Sequence, residues 1–273
     1  MNIENFNASL TDQQINLINE LIDKVSNRQL KDFGKINSNI KPDGTLITEC
    51  DKWSDQQIVE GIEKITQKEE GVLSEEGSKK VPSSSSYWIV DPLDGTTNFA
   101  AGIPYWSISI ARFVDGVPNT AFLEIPALNK RIIAIKGKGV WLNNKQLIRK
   151  NSSSLINNNC VSLCSRSIKV LQLNPNKSFP GKIRLLGVSS LNMTSVGLGQ
   201  TIGALEATPK IWDLAAAWLI LSELNCFIDW LDLNPKNIQP GEDLGSANFP
   251  LLTASSQESM NALLPWAKIL IKK

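Results

Sequence analysis

The chain contains no histidine, and this absence excludes more chemistry than any other feature of the composition. A Ser-His-Asp triad, a Cys-His pair, a phosphohistidine intermediate and every histidine-ligated metal site are ruled out. Acid, base and metal chemistry is left to carboxylates, hydroxyls, lysines, thiols and bound water. Thiols are scarce too: Cys50, Cys160, Cys164 and Cys226 are the only cysteines, and none forms a C-x-x-C pair. A zinc site is not expected, and buried free thiols are the default reading. The formal net charge is +1 and no long run of like charges occurs, so the sequence offers no electrostatic footprint for nucleic acid or an anionic membrane. No stretch approaches the roughly 20 apolar residues that a membrane span needs. Met1 to Ser9 lack the basic start and apolar centre of a signal peptide. With unpaired thiols, these features point to a reducing cytoplasm and to small molecules or other subunits as partners.

What is present is enough to bury a large core: 273 residues, 42% of them hydrophobic. One domain over 1–273 is expected, with a first half of about 1–150 and a second of about 151–273. Thr11 and Gln14 form a capping box ahead of Ile15, Ile18, Leu21, Ile22 and Val25, which share a helical face. A second helix is predicted from Trp53 to Ile65. Strands are predicted over Tyr87 to Val90, ending at Asp91, and over Trp106 to Val114, Ala121 to Ile125, Arg131 to Ile135, Val140 to Leu142 and Val161 to Leu163. Periodicity is weak between Asn151 and Pro180. Leu191 to Gly199 reads as a small-residue helix, and Asp213 to Leu224 as a nearly all-apolar, buried helix with Asp213 as its N-cap. Ser83 to Ser86 reads as a surface loop.

One segment carries chemistry. Asp91-Pro92-Leu93-Asp94-Gly95-Thr96-Thr97-Asn98-Phe99 sets two carboxylates at a strand end and follows them with glycine and hydroxyls. Asp91 and Asp94 are hard oxygen ligands suited to Mg²⁺, and exposed amides at Gly95, Thr96 and Thr97 suit phosphate oxygens if a helix begins there. Taken alone, the same string also reads as a turn.

The full string, placed after a Trp-bearing apolar strand and before Gly102-Ile103-Pro104, closely resembles the signature of the inositol monophosphatase family. The resemblance continues in the order that family requires. Lys41 to Asp51 is similar to the segment ending in its catalytic aspartate, and Leu73-Ser74-Glu75-Glu76-Gly77 to its paired-glutamate motif. Trp212-Asp213-Leu214-Ala215-Ala216-Ala217 is similar to its second signature. Each outlying motif has an ordinary explanation by itself: a solvated loop for Glu75-Glu76, a helix start for Asp51, an N-cap for Asp213. The resemblance implies an α+β fold, a layered αβαβα sandwich of the inositol monophosphatase / fructose-1,6-bisphosphatase type. It implies two Mg²⁺ ions, one on Glu75 and Asp91 with the Leu93 carbonyl and Thr96 assisting, the other on Asp91, Asp94 and Asp213. A third, weaker ion would lie near Glu75. Asp51 and Thr96 would orient and deprotonate the attacking water, and the amides of Gly95 and Thr96 would hold phosphate oxygens.

The implied activity is Mg²⁺-dependent hydrolysis of a small phosphorylated alcohol or sugar, with inositol monophosphate first among candidates. Fructose 1,6-bisphosphate and histidinol phosphate are alternatives within the superfamily. Thr97-Asn98 argues against the nucleotide phosphatases, which often carry Lys-Glu there. Segments around Gly187 and Ser189 and around Glu206 resemble those lining the alcohol pocket, where Glu206 would accept hydrogen bonds from ring hydroxyls. A solvated loop carboxylate is the competing reading of Glu206. Dimers are common in the family, so a homodimer is an expected state. A non-catalytic phosphometabolite-binding protein is the alternative from another class. Two departures stand out: Leu224-Asn225-Cys226 replaces the usual Ala-Gly-Gly, with Asn225 able to take the left-handed turn, and Ser74 replaces a glycine.

Overall fold

A computed structural model describes residues 9–42, 44–66, 69–149 and 159–271. In chain order the helices are α1 (Asp12–Asp32), α2 (Glu49–Ile65), α3 (Thr96–Ala100), α4 (Lys169–Gln172), α5 (Ser189–Gly197), α6 (Ile211–Glu223) and α7 (Gln257–Ala267). The strands of the first half are β1 (Ser38–Ile40), β2 (Leu46–Thr48), β3 (Gly71–Ser74), β4 (Ser86–Asp94), β5 (Ser107–Val114), β6 (Val117–Ile125), β7 (Lys130–Ile135), β8 (Gly139–Leu142) and β9 (Lys145–Gln146). Those of the second are β10 (Cys160–Leu163), β11 (Lys182–Arg184), β12 (Gly203–Glu206), β13 (Phe227–Trp230) and β14 (Leu251–Ala254).

A seven-stranded sheet runs β3-β4-β5-β6-β7-β8-β9, and a five-stranded sheet runs β11-β10-β12-β14-β13. The first is antiparallel except where β3 meets β4. Alternation along its strands fixes which layer each side chain joins. Trp88, Val90, Ile108, Ile110 and Phe122 pack against Ile18, Ile22 and Val25 of α1 and Ile58 and Ile62 of α2. Ile89, Ala111, Phe113, Ala121 and Leu123 point the other way, into the apolar surfaces of α5 and α6. Ala204 and Leu251 of the second sheet close that layer from beyond. On the outer face of that sheet, Val161, Leu163, Leu205 and Leu252 meet Met260, Leu263 and Trp266 of α7. The order is therefore helices, sheet, helices, sheet, helix, the α+β arrangement expected.

Close approach of the outermost layer depends on Gly203, where an added Cβ would lie 2.3 Å from Leu263 Cδ1 and 2.9 Å from the Thr253 carbonyl. The all-apolar character of α6 is explained by its central place: Ile211 to Leu221 is buried almost throughout. Asn225 does take a left-handed conformation, φ 53°, just past the end of α6. Among the described residues no helix is long and apolar enough to cross a membrane.

Several boundaries differ from expectation. Helix α2 starts at Glu49, four residues before Trp53, because Thr48 caps it: its hydroxyl accepts from the amides of Cys50 and Asp51. Asp213 is not the N-cap of α6; Lys210 holds that position, and Asp213 lies in the first turn, accepting from the Lys210 amide at 2.8 Å. Strand β4 does not stop at Asp91 but continues to Asp94. Ser86 belongs to β4 rather than to the serine loop. Of the thiols only Cys50 is fully buried, and all are free.

Candidate active site

The end of β4 holds the site. Asp91 pairs with Ser109 and Asp94 with Ser107 on β5, so three steps on β4 match two on β5 and the register slips between them. In a regular strand, residues three apart point to opposite faces. The extra residue returns Asp94 to the face of Asp91, as a bulge does. Asp213, in the first turn of α6, faces the same point. One carboxylate oxygen from each of Asp91, Asp94 and Asp213 lies within 4.8 Å of the others. Glu75 joins them, near enough that its charge raises the proton affinity of both Asp91 and Asp213.

Hydrogen bonds aim this cluster. Asp91 Oδ1 accepts from the Leu93 amide at 3.0 Å, and Asp94 Oδ2 from the Ser190 amide at 2.7 Å. The loop between the two aspartates is held from behind by Gln29 of α1, which is fully buried. Its Nε2 donates to the Pro92 carbonyl at 2.8 Å and to Ser54 Oγ at 3.2 Å, while its Oε1 accepts from Trp106 Nε1 at 2.9 Å. One amide thus ties α1, α2, the bulge and the start of β5 together.

Burial and mutual repulsion dominate the electrostatics. Burial, then the charges of Glu75, Asp94 and Asp213, drives the Asp91 carboxyl well above its ordinary range. Burial, Asp94 and Glu75 do the same to Asp213. Asp94 is raised by burial against the opposing pull of its Ser190 bond. Glu75 is pushed up to about 7 by burial and Glu76, with Lys41 opposing. Lys41 Nζ bonds Glu75 Oε1 at 2.8 Å and pairs with Glu76. A buried, all-oxygen donor set that repels itself fits a hard divalent cation.

Beside the cluster, Thr96 Oγ1 lies 2.7 Å from Asp51 Oδ1 and 3.2 Å from the Leu93 carbonyl. Asp51 is buried, and its other oxygen is fixed by Thr48, whose amide donates at 2.8 Å and whose hydroxyl also bonds it. Burial raises the Asp51 carboxyl above its ordinary value, while the Thr48 and Thr96 hydroxyl bonds oppose that rise. Gly95 adopts φ +104°, with Val188 Cγ2 2.8 Å from where a Cβ would be. Helix α3 follows, and its first internal bond runs from the Phe99 amide to the Gly95 carbonyl at 3.0 Å. The amides before Phe99 are left without helical partners.

A cavity of about 520 Å³ opens beside Glu75 and Asp213, lined also by Lys41, Lys79, Arg166, Thr208, Lys210 and Trp212. Gly187, Ser189 and Glu206 are not part of that lining. Gly187 lies exposed just ahead of α5, where Asn98 Nδ2 donates to the preceding Leu186 carbonyl at 2.8 Å. Glu206 is only 1% exposed; Ser189 Oγ donates to its Oε2 at 2.9 Å and Asn192 Nδ2 to its Oε1 at 2.8 Å. A solvated loop carboxylate is therefore not what Glu206 is. Burial pushes it up from its ordinary 4.5 to about 7.

A carboxyl raised on folding favours the protonated native state, so its contribution to stability is full below its unfolded value and is lost as pH rises through the folded one. Native Glu206 should therefore weaken the fold between about pH 4.5 and pH 7. Glu206→Gln is expected to flatten that slope, with a gain on the order of 3 kcal/mol above the window. Urea unfolding of both proteins across the range checks this, and parallel curves would contradict it.

The sequence profile of the inositol monophosphatase family, matched to residues 3–261, covers nearly the whole chain. The chain belongs to the inositol monophosphatase family. Nus factor SuhB of Pasteurella multocida is 30% identical over 196 residues, 69% of this chain and 73% of that protein. The fructose-1,6-bisphosphatase/inositol-1-monophosphatase of Thermotoga maritima is 29% identical over 210 residues, 75% and 79% of the two chains. Among solved structures, an IMPase/NADP phosphatase complexed with NADP and Ca²⁺ is 25% identical, with a TM-score of 0.78 over 97% of this chain and 98% of that one.

For this member of the inositol monophosphatase family, some site residues were not visible in the motifs. Gln29 is polar, yet it falls in phase with Ile18, Ile22 and Val25 on the buried stripe of α1, and that phase was the available signal. Thr48 stands three residues before Asp51, a capping-box spacing. Lys79, Lys210 and Arg166 belong to no motif; only the fold gathers them.

Proposed function

We propose that the chain is a Mg²⁺-dependent phosphate monoesterase acting on a small alcohol or sugar phosphate. The observation that carries this reading is the convergence of one carboxylate oxygen from each of Asp91, Asp94 and Asp213 within 4.8 Å. The family supports it, as does the Ca²⁺ in the solved relative. Since the cluster takes ligands from both halves of the sequence, we read the chain as one domain.

Asp91, Asp94, Asp213 and Glu75 would hold the metal, with the Leu93 carbonyl alongside. Bound Mg²⁺ supplies positive charge to the cluster and acidifies coordinated water. The remaining tasks fall to the protein. Thr96 Oγ1 donates to Asp51, which leaves an oxygen lone pair to receive a proton from the attacking water, and Asp51 Oδ1 takes the proton onward. Thr48 keeps the other Asp51 oxygen occupied, so Oδ1 is the basic atom. The amides of Gly95 and Thr96, at the start of α3, would receive phosphate oxygens. No covalent enzyme intermediate is required.

Phosphate release from inositol 1-phosphate, fructose 1,6-bisphosphate, histidinol phosphate and adenosine 3′,5′-bisphosphate with Mg²⁺ tests the proposal and ranks the substrates. Turnover of at least one of the first three is expected. No release from any of them would overturn it.

A further inference from the structure

Asp94 belongs to β4, but the bond that turns its carboxylate comes from the second half of the chain. The Ser190 amide, in the first turn of α5, donates to Asp94 Oδ2 at 2.7 Å. A helix leaves its first amides without internal partners, so this bond takes nothing from α5. It is only as well aimed as the turn that carries it, and α5 lacks the usual device for fixing its start. Val188 stands at the N-cap with a side chain that can accept no hydrogen bond, and no side-chain cap is made.

Two neighbours take over that task. On one side is Glu206, the last residue of β12. Ser189 Oγ donates to Glu206 Oε2 at 2.9 Å, and Asn192 Nδ2 to Oε1 at 2.8 Å. Residues three apart share a helix face, so the two carboxylate oxygens grip one turn of α5 at both ends. On the other side, Ser190 Oγ shares a hydrogen bond of 2.7 Å with Ser107 Oγ, and both serines are fully buried. Ser107 is also the residue that pairs with Asp94 across β4 and β5. Asp94, Ser107 and Ser190 therefore close a ring made of strand pairing, a hydroxyl pair and the amide bond. Glu206 meets protein donors on both oxygens and lies outside the cavity lining, so its hold is on the helix and not on a ligand.

We propose that Glu206 is a positioning residue for the metal site: by gripping the first turn of α5 it sets the orientation of Asp94 through the Ser190 amide, with Ser107 as the second hold. This rests on the reading of Asp94 as a metal ligand. Groups that orient ligands contribute about 10- to 100-fold to metal affinity or activity. Loss of Glu206 is then felt in Mg²⁺ affinity, whereas loss of a substrate contact is felt in the Michaelis constant.

Calorimetric titration of the full chain with Mg²⁺, without substrate, reads this directly. Glu206→Ala should weaken Mg²⁺ binding about tenfold or more. Glu206→Gln should recover most of it, because its carbonyl still accepts from Asn192 and its amide can donate to the Ser189 hydroxyl, which accepts as well as donates. Ser189→Ala removes one of the two bonds and should weaken binding less, in the same direction. At saturating Mg²⁺, Glu206→Ala should leave the ratio of the Michaelis constants for inositol 1-phosphate and glycerol 2-phosphate where it stands in the native chain.

Unchanged Mg²⁺ affinity in Glu206→Ala, or in Ser189→Ala should the first variant fail to fold, overturns the inference. So does a Glu206→Gln protein as weak as Glu206→Ala, since charge rather than the grip on α5 would then be responsible. A rise confined to the Michaelis constant for inositol 1-phosphate assigns Glu206 to the substrate and overturns it as well. The titration needs no turnover: Mg²⁺ binding with no phosphate release defeats the monoesterase reading alone, while a native chain that binds no Mg²⁺ defeats both.

Discussion

Asp94→Asn is expected to lower kcat/KM by about 10³-fold or more while raising the melting temperature of the metal-free protein. The two effects have one origin. Asp94 is a buried carboxylate beside Asp91 and Asp213, and its charge raises the proton affinity of both. A loss of 10³-fold is about 4 kcal/mol of transition-state stabilisation, within the several kcal/mol that a catalytic metal site supplies. In the metal-free protein the same substitution removes one like charge from a low-dielectric cluster. Asparagine retains an oxygen to accept the Ser190 amide bond, so the local fold has no reason to suffer. A gain of about 1 kcal/mol would appear as a rise of roughly 2–4 °C. Mg²⁺ should raise the melting temperature of the native chain and do so far less for the variant. Undiminished activity, or a metal-free variant that melts lower than the native chain, would contradict the assignment.

Thr96→Val is expected to reduce kcat by about 10²- to 10³-fold with little change in KM, since a positioned proton-transfer group contributes about 10²–10⁴. Valine preserves the volume and branching of threonine and removes only the hydroxyl that links Leu93 and Asp51. Thr96→Ser, which keeps the hydroxyl, should recover most of the rate. The pair separates proton transfer from packing: if valine and serine variants fall together, Thr96 supports the turn and not the chemistry. Asp51 is a less clean probe, because its carboxylate also completes the cap of α2 through Thr48, worth about 1 kcal/mol by itself.

Much of this arrangement was legible in the sequence because its determinants are local. The apolar stripe of α1, the apolar runs of β4 and β5 and the all-apolar α6 each announce surfaces to be buried. The carboxylates were legible for a different reason, since Asp91, Asp94, Glu75 and Asp213 stand in motifs whose order is itself informative. Their convergence was implied only by the resemblance: physically it depends on the bulge between Asp91 and Asp94, a register slip against β5 that no pattern in β4 alone reveals. Apolar periodicity alone starts α2 at Trp53, whereas the cap at Thr48 sets its first residue at Glu49. Strands β13 and β14 leave little trace in the sequence, because each is only four residues long and gains definition by pairing with the other.

The substrate side was least legible. Glu206 was identified by its position relative to a motif, but what it does depends on Ser189 and Asn192, which reach it from α5 across the start of the second sheet. A carboxylate already holding two donors and 1% exposed is a poor acceptor for a ring hydroxyl. The lining of the cavity lies at the opposite extreme, since Lys79, Arg166 and Lys210 are far apart in sequence and gather on one cavity only after both halves of the chain fold together.

The central claim is that the carboxylate cluster makes phosphate ester hydrolysis dependent on a divalent cation. Initial rates of phosphate release, measured against Mg²⁺ concentration on a substrate the chain turns over, test it most directly. The account predicts no release in excess chelator, a rise with Mg²⁺, and full recovery when the chelated protein is given Mg²⁺ again. Turnover that persists at the same rate in chelator would contradict it.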